Sequence, residues 1–299
     1  MKTYSATPLI EGLAFPEGPR WHENRFWFTD QHARRIYCID ASDDLMAVAE
    51  TGDLPGGLGW LPDGTLLVVY MTERHVMQWN GDRLVSYADL SRHASFHCND
   101  MVVDKKGRVY VGNFGFDLHG GEARRNAELI MIGPDGNVSL FDGSVVFPNG
   151  CVIPPEGDRL IVAETFAHRL TEFRLRPDGS AASSGLWADL GTATPDGICL
   201  DEEGKIWVAS PGTNELFRVK RGGERVATCS TRGVPYACML GGEHRKTLYI
   251  CTSETDDPRE ASSRKSGRIE QVGRVAEAVR AATGAAGAHP GCPGDAAGR

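Results

Sequence analysis

The chain repeats one hairpin signal six times. The runs NRFWFTD, TLLVVYM, GRVYVGN, DRLIVAE, GKIWVAS and KTLYICT are rich in β-branched and aromatic residues, the composition of strands. Each follows a turn signal, respectively HEN, PDG, DKKG, PEG, DEEG and GEHR, built from residues that reverse the backbone cheaply. A second short apolar segment precedes each turn, such as GICL at 197–200. Aligned on the small residue that opens each first strand, the anchors are Gly18, Gly57, Asp100, Gly150, Gly197 and Ala237, spaced 39, 43, 50, 47 and 40 residues apart. Turns at 80–82, 134–136, 177–179 and 221–223 add a second hairpin to most units. Four strands per unit at this period predict an all-β fold, a six-bladed β-propeller with four-stranded antiparallel blades. The GH…WD signature of a WD40 array is absent.

The last unit is one strand short. After KTLYICT only GRIEQV (267–272) reads as a strand. The N-terminal YSATPLI is expected to supply the missing outer strand and close the ring. The propeller domain is therefore placed at 1–272. Residues 273–299 are Ala/Gly-rich and carry few large apolar side chains, so a disordered tail is expected there.

The net charge of −8, from 32 basic and 40 acidic residues, argues against a nucleic-acid or anionic-membrane surface. No apolar run nears the roughly 18 residues of a membrane span, and MKTYSATPLIEGLAF lacks a signal peptide's apolar core. The expectation is a cytoplasmic protein with no nucleic-acid or membrane partner. Eight cysteines occur without any C-x-x-C pair, mostly inside strand-like runs. Buried free thiols are expected in preference to disulfides or a zinc site.

The first strand of a propeller blade lines the central channel, so equivalent positions face one another. Immediately before the anchors stand Glu17, Gly56, Asn99, Asn149, Asp196 and Tyr236, and before those Pro16, Pro55, Cys98, Pro148, Pro195 and Pro235. Proline suits a strand start because no ladder donor is lost. Glycine or alanine after it lets strands crowd near the axis. Four of the six ring residues bear a side-chain oxygen. Two carboxylates in one confined space raise each other's pKa unless a cation intervenes. An all-oxygen set suits a hard divalent ion, calcium first, with magnesium, manganese, zinc or iron as the other candidates. The ends of the second strands, Asp30, Tyr70 or Met71, Asn113, Glu164, Ser210 and Ser253, are expected to rim the site. Asn113 and Glu164 are taken there as substrate-binding candidates, with His97, two residues before Asn99. Residues 112–128 form the longest insertion and are expected to loop over the site.

The motifs PEGPRW, ND…D..GR.Y.G, FPNG and PDG…D..G.IWVA resemble the gluconolactonase, luciferin-regenerating-enzyme and senescence-marker-protein (regucalcin-like) family of six-bladed propellers, over about residues 10–272. The resemblance implies a metal-dependent hydrolase, usually a sugar lactonase. It implies that Glu17, Asn149 and Asp196 coordinate the metal and that Asn99 lies against the substrate or its attacking water. His97 stands where the family often has an arginine that helps hold a sugar.

The expected chemistry is opening of a small lactone or related ester. Asp196 is the expected general base, and Asn99 and Asn149 orient water and carbonyl. A serine nucleophile is disfavoured because no G-x-S-x-G elbow occurs. Two alternatives stay open: a phosphotriesterase-type hydrolase on the same metal, and a non-catalytic calcium-binding or scaffold propeller.

Overall fold

The computed structural model describes residues 1–273 and Val275. The expected tail otherwise lies outside the described residues, as does Cys292. Among the described residues the strands form six sheets arranged as the blades of a propeller. Blade one comprises Pro16–His22, Arg25–Asp30, Arg35–Ile39 and Leu45–Glu50, each strand antiparallel to the next. Blades two, three and four repeat this meander from Pro55, Cys98 and Pro148, and blades five and six follow from Ile198 and Val234.

The core lies between blades. The second strands Leu66–Tyr70, Val109–Asn113 and Ile206–Ser210 are buried at every position, because each sheet is covered on both faces by its neighbours. Leu67 and Val69 of blade two pack with Met101, Val109 and Val111 of blade three. Phe26 and Phe28 of blade one pack with Tyr249, Cys251 and Ile269 of blade six. Each such fully buried side chain contributes about 1.5–3 kcal/mol, so neighbouring blades hold one another. All seven described cysteines are buried, and none of them is in a disulfide. No helix among the described residues is long and apolar enough to cross a membrane.

The ring closes through the N-terminus, as the missing strand required. Strands β1 (Lys2–Ser5) and β2 (Thr7–Leu13) share that task. Strand β2 runs antiparallel to Gly267–Val272 and completes blade six, with Leu13 opposite Gly267. The sequence did not suggest the role of β1. It adds a fifth, parallel strand to blade five beside Arg225–Ser230. Ala6 makes the switch between the two sheets, its N–H donating to the Ser230 carbonyl at 2.9 Å.

A seven-residue helix, α1 (Pro258–Arg264), interrupts blade six. Seven residues are too few for periodicity to show, but the caps are clear. Asp257 accepts from the Arg259 and Glu260 N–H groups, Pro258 sits in the first turn, and Lys265 ends the helix in the left-handed region. Ala261 of this helix packs on Phe15 and Tyr236, at the end of the channel where the ring residues lie.

Candidate functional site

Five of the six inner strands break register at the ring position. The shifts fall between Glu17 and Arg20, Pro55 and Leu58, Cys98 and Met101, Pro148 and Cys151, and Pro235 and Ala237. In the fifth blade Asp196 precedes the regular strand, which starts at Ile198. An irregularity of this kind re-aims the local side chains. The anchors are small because the strands touch. A Cβ on Gly150 would stand 2.7 Å from the Asp196 carbonyl oxygen, and one on Gly197 would stand 2.4 Å from the Ala237 Cβ.

The ring brings Asp196 within electrostatic reach of Glu17 and within hydrogen-bond reach of the Asn149 side chain. Glu17 Oε2 accepts the Gly18 N–H at 2.8 Å. Burial, with the Asp100 carboxylate adding to it, pushes the Glu17 carboxyl up to about 7 against the Gly18 hydrogen bond and the Arg20 charge. Burial and then the charges of Glu17 and Asp100 raise Asp196 well above the usual carboxylate range, and a hydrogen bond to the Asn149 side chain works the other way. Asn149 Nδ2 also lies 3.4 Å from Thr165 Oγ1, which donates to the Pro195 carbonyl at 2.9 Å. Blades four and five are thereby tied just above Asp196. Asn99 is buried in the same ring, its Nδ2 at 3.5 Å from the Pro148 carbonyl. Among the described residues no three His, Cys, Asp or Glu side chains cluster to hold a metal, so the ring offers two carboxylates and two amides.

Tyr236 is a ring member without a carboxylate or amide to offer a cation. Its side chain is buried beside Phe15, with ring centroids 4.7 Å apart. Burial first, then the charges of Asp256, Asp196 and Glu17, raise its phenol pKa. It therefore keeps its proton and presents an O–H near both carboxylates. Its phase in the repeat, in VPYA, was the available signal.

Most of the expected rim residues act differently. Asp30 accepts the N–H groups of Ala14 and Phe15 at 2.9 and 2.7 Å. Glu164 accepts the Val146 N–H at 2.7 Å, and Ser210 Oγ accepts the Thr194 N–H at 2.9 Å. Each clamps the backbone two or three residues before its own blade's ring residue. Glu164 is fully buried and is further held by Arg169 and Thr171. Asn113 is also fully buried. Its Nδ2 donates to the Glu128 carbonyl at 2.7 Å, and its Oδ1 accepts from Ser95 Oγ and the Gly115 N–H. Both side chains are committed to their own blades, because a buried polar group must find internal partners. His97 is half-buried and stacked on Phe96 at 4.1 Å. Burial lowers its pKa, which favours a neutral imidazole.

Below the ring, Arg20 of blade one donates to Asp100 Oδ1 of blade three at 2.6 Å. A funnel of about 1640 Å³ opens at the opposite end of the channel, lined by Trp60, Cys151, Cys199, Met239 and Arg245 as well as Arg20. It lacks the paired carboxylates, and the chemistry-bearing residues converge at the ring end instead.

The sequence profile of the SMP-30/Gluconolactonase/LRE-like region matches residues 15–254. Among curated relatives, a pentonolactonase of Haloferax volcanii is 25% identical over 90% of this chain and 91% of its own length. Regucalcin of Gallus gallus is 22% identical over 83% of this chain and 86% of its own. Among solved structures, a regucalcin of Agrobacterium tumefaciens described as calcium-binding superposes with a TM-score of 0.78 at 17% identity, covering 93% of this chain and 97% of the other. That likeness concerns the fold alone.

Proposed function

The chain belongs to the SMP-30/Gluconolactonase/LRE-like family, and on that premise we propose that it is a hydrolase of small lactones whose active site is the oxygen ring at the channel mouth. The observation that carries this reading is the pair Glu17 and Asp196. Burial raises the proton affinity of both carboxyls, and the Glu17 charge raises that of Asp196 further, a costly arrangement for a merely structural site. The pentonolactonase relative supports lactones as the substrate class.

The donor set tests whether a divalent cation fits. Two carboxylates that repel one another, flanked by amide oxygens and free of His or Cys, match the preference of a hard ion such as calcium. Glu17, Asn149 and Asp196 would hold it. When bound, such an ion supplies Lewis-acid polarisation of an ester carbonyl and stabilises negative charge.

The side chains supply the rest. A water attacks the lactone carbonyl carbon. Asp196, made more basic by burial and by the Glu17 charge, accepts its proton. The ring C–O bond then breaks, and the proton returns to the departing alkoxide, leaving a hydroxy acid. Asn99 and Asn149 orient water and carbonyl through their amides. The protonated Tyr236 hydroxyl donates a hydrogen bond toward the developing negative charge.

A lactone panel assayed with calcium and with chelator tests this reading. Chelator-sensitive hydrolysis that Asp196→Ala reduces by at least about 100-fold is expected. Bound cation with no turnover of any lactone would replace the enzyme by a calcium-binding scaffold.

A further inference from the structure

We infer, on the lactone-hydrolase reading above, that the preferred substrate carries a planar apolar ring, such as an aryl-fused lactone, in preference to a polyhydroxylated one. Two residues before each ring position stand Phe15, Leu54, His97, Phe147, Thr194 and Val234. Only Thr194 among them has a hydroxyl, and that oxygen already accepts the Gly212 N–H at 2.8 Å. Asn113 and Glu164, two side chains at this mouth suited to sugar hydroxyls, are fully buried and bonded within their blades. A polyol set against Thr194, Asn113 and Glu164 would find their polar atoms already bonded. Unpaired polar groups, not missing apolar contacts, give the strong discrimination in binding sites.

On the side of blades three and four the mouth is aromatic. His97 stacks on Phe96, and its ring lies 6.0 Å from that of Phe114. Phe114 stacks on Phe147 at 4.5 Å, and Phe147 lies 4.8 Å from Phe166. Phe147 is buried, while Phe96, His97, Phe114 and Phe166 keep part of their surface exposed. The Arg124 guanidinium extends the stack, 4.0 Å over the Phe166 ring. This wall is joined to the oxygen ring by sequence and by hydrogen bonding. Phe147 is two residues before Asn149, and Phe166 follows Thr165, whose hydroxyl lies 3.4 Å from Asn149 Nδ2.

The backbone pays for this placement. Phe147 has φ +54° and immediately precedes Pro148. A bulky residue in the left-handed region is a rare outlier, and the position before proline disfavours helical conformations further. Strain of this kind persists where the surroundings impose it, often at ligand sites. Here it seats the Phe147 ring between Phe114 and Phe166, which turns separate side chains into one stacking surface. Offset stacking against such a surface favours flat π-systems.

Steady-state kinetics of the full chain with calcium test the inference, using dihydrocoumarin, δ-valerolactone and glucono-δ-lactone. The expected kcat/KM for dihydrocoumarin exceeds that of each of the others by roughly tenfold or more. Phe166→Leu, which keeps apolar volume without the ring face, and Phe114→Ala should each raise the dihydrocoumarin KM by roughly two- to tenfold. They should leave its kcat and the δ-valerolactone KM unchanged, and Phe166→Trp should restore the KM. Preference for glucono-δ-lactone, or variants that shift all three substrates together, would overturn the inference while leaving the lactonase reading standing. Hydrolysis of none of the three would remove both.

Discussion

Arg20 reaches from the first strand of blade one to the Asp100 carboxylate of blade three, 2.6 Å away, and Asp100 Oδ1 lies against Gly57 of blade two. Both side chains are mostly buried, with 17% and 14% of their surfaces exposed. Arg20 also donates to the Met101 carbonyl at 2.5 Å, and Asp100 accepts its neighbour's N–H at 2.8 Å. The pair spans one blade, and both of its charges act on Glu17.

Removing one partner of this pair strands the other. Arg20→Met is expected to cost about 2–4 kcal/mol, because Asp100 would remain in a poorly solvated position without its counter-charge. Gly57→Ala should break the same arrangement by collision, since its Cβ would fall 2.1 Å from Asp100 Oδ1 and 2.6 Å from the Met101 nitrogen. Denaturant unfolding of both variants checks this. Wild-type stability in either would show that the crossing is not structurally required.

The N-terminal strands should behave as a clasp. Deleting residues 1–10 removes β1 and most of β2 and leaves Gly267–Val272 as an open edge. A fall in Tm of at least about 10 °C is expected from the lost burial and pairing. Calorimetry of the truncated chain decides the matter, and an unchanged melting curve would contradict it.

Cation binding and pH should be coupled with a definite sign. Folding disfavours the ionised form of Glu17, whose carboxyl stands at about 7 against an ordinary value of 4.5. The penalty is absent below about pH 4.5 and grows as pH rises toward about 7. A divalent ion held by Glu17, Asn149 and Asp196 would offset it. The gain in Tm on replacing chelator by excess calcium should therefore increase from about pH 5 to about pH 7.5. Glu17→Gln should flatten that increase. A calcium effect that is absent at every pH would dispose of the proposed site.

Glu164 should matter for stability and not for substrate recognition. Glu164→Ala leaves the Val146 N–H and Thr171 hydroxyl without their acceptor and frees Arg169. The expected cost is about 2–4 kcal/mol, with KM unchanged when activity is measured well below the lowered Tm. A raised KM at full stability would return Glu164 to the binding site.

The six-bladed fold and its oxygen ring were legible in the sequence because both are periodic. A hairpin repeated every 39–50 residues allows few architectures, and a residue type at one phase of that repeat marks one layer of the channel. The short signals were legible only in part. The caps of α1 stand in DDPREASSRK, but a seven-residue helix has no period to reveal it, and β1 carries no mark of the parallel partner it finds on blade five. Asp30, Glu164 and Ser210 read as rim residues because their positions are periodic too, yet what they do depends on which backbone N–H lies within 3 Å of them. Arg20 and Asp100 are 80 residues apart, and nothing local links them. The sequence by itself thus determined which residues share a layer of the channel. Only the tertiary structure decided which of them face the axis, which are spent on holding the backbone, and which charges meet. Strand periodicity is a local property of the chain, whereas hydrogen-bond satisfaction and charge pairing depend on neighbours that only the closed ring supplies.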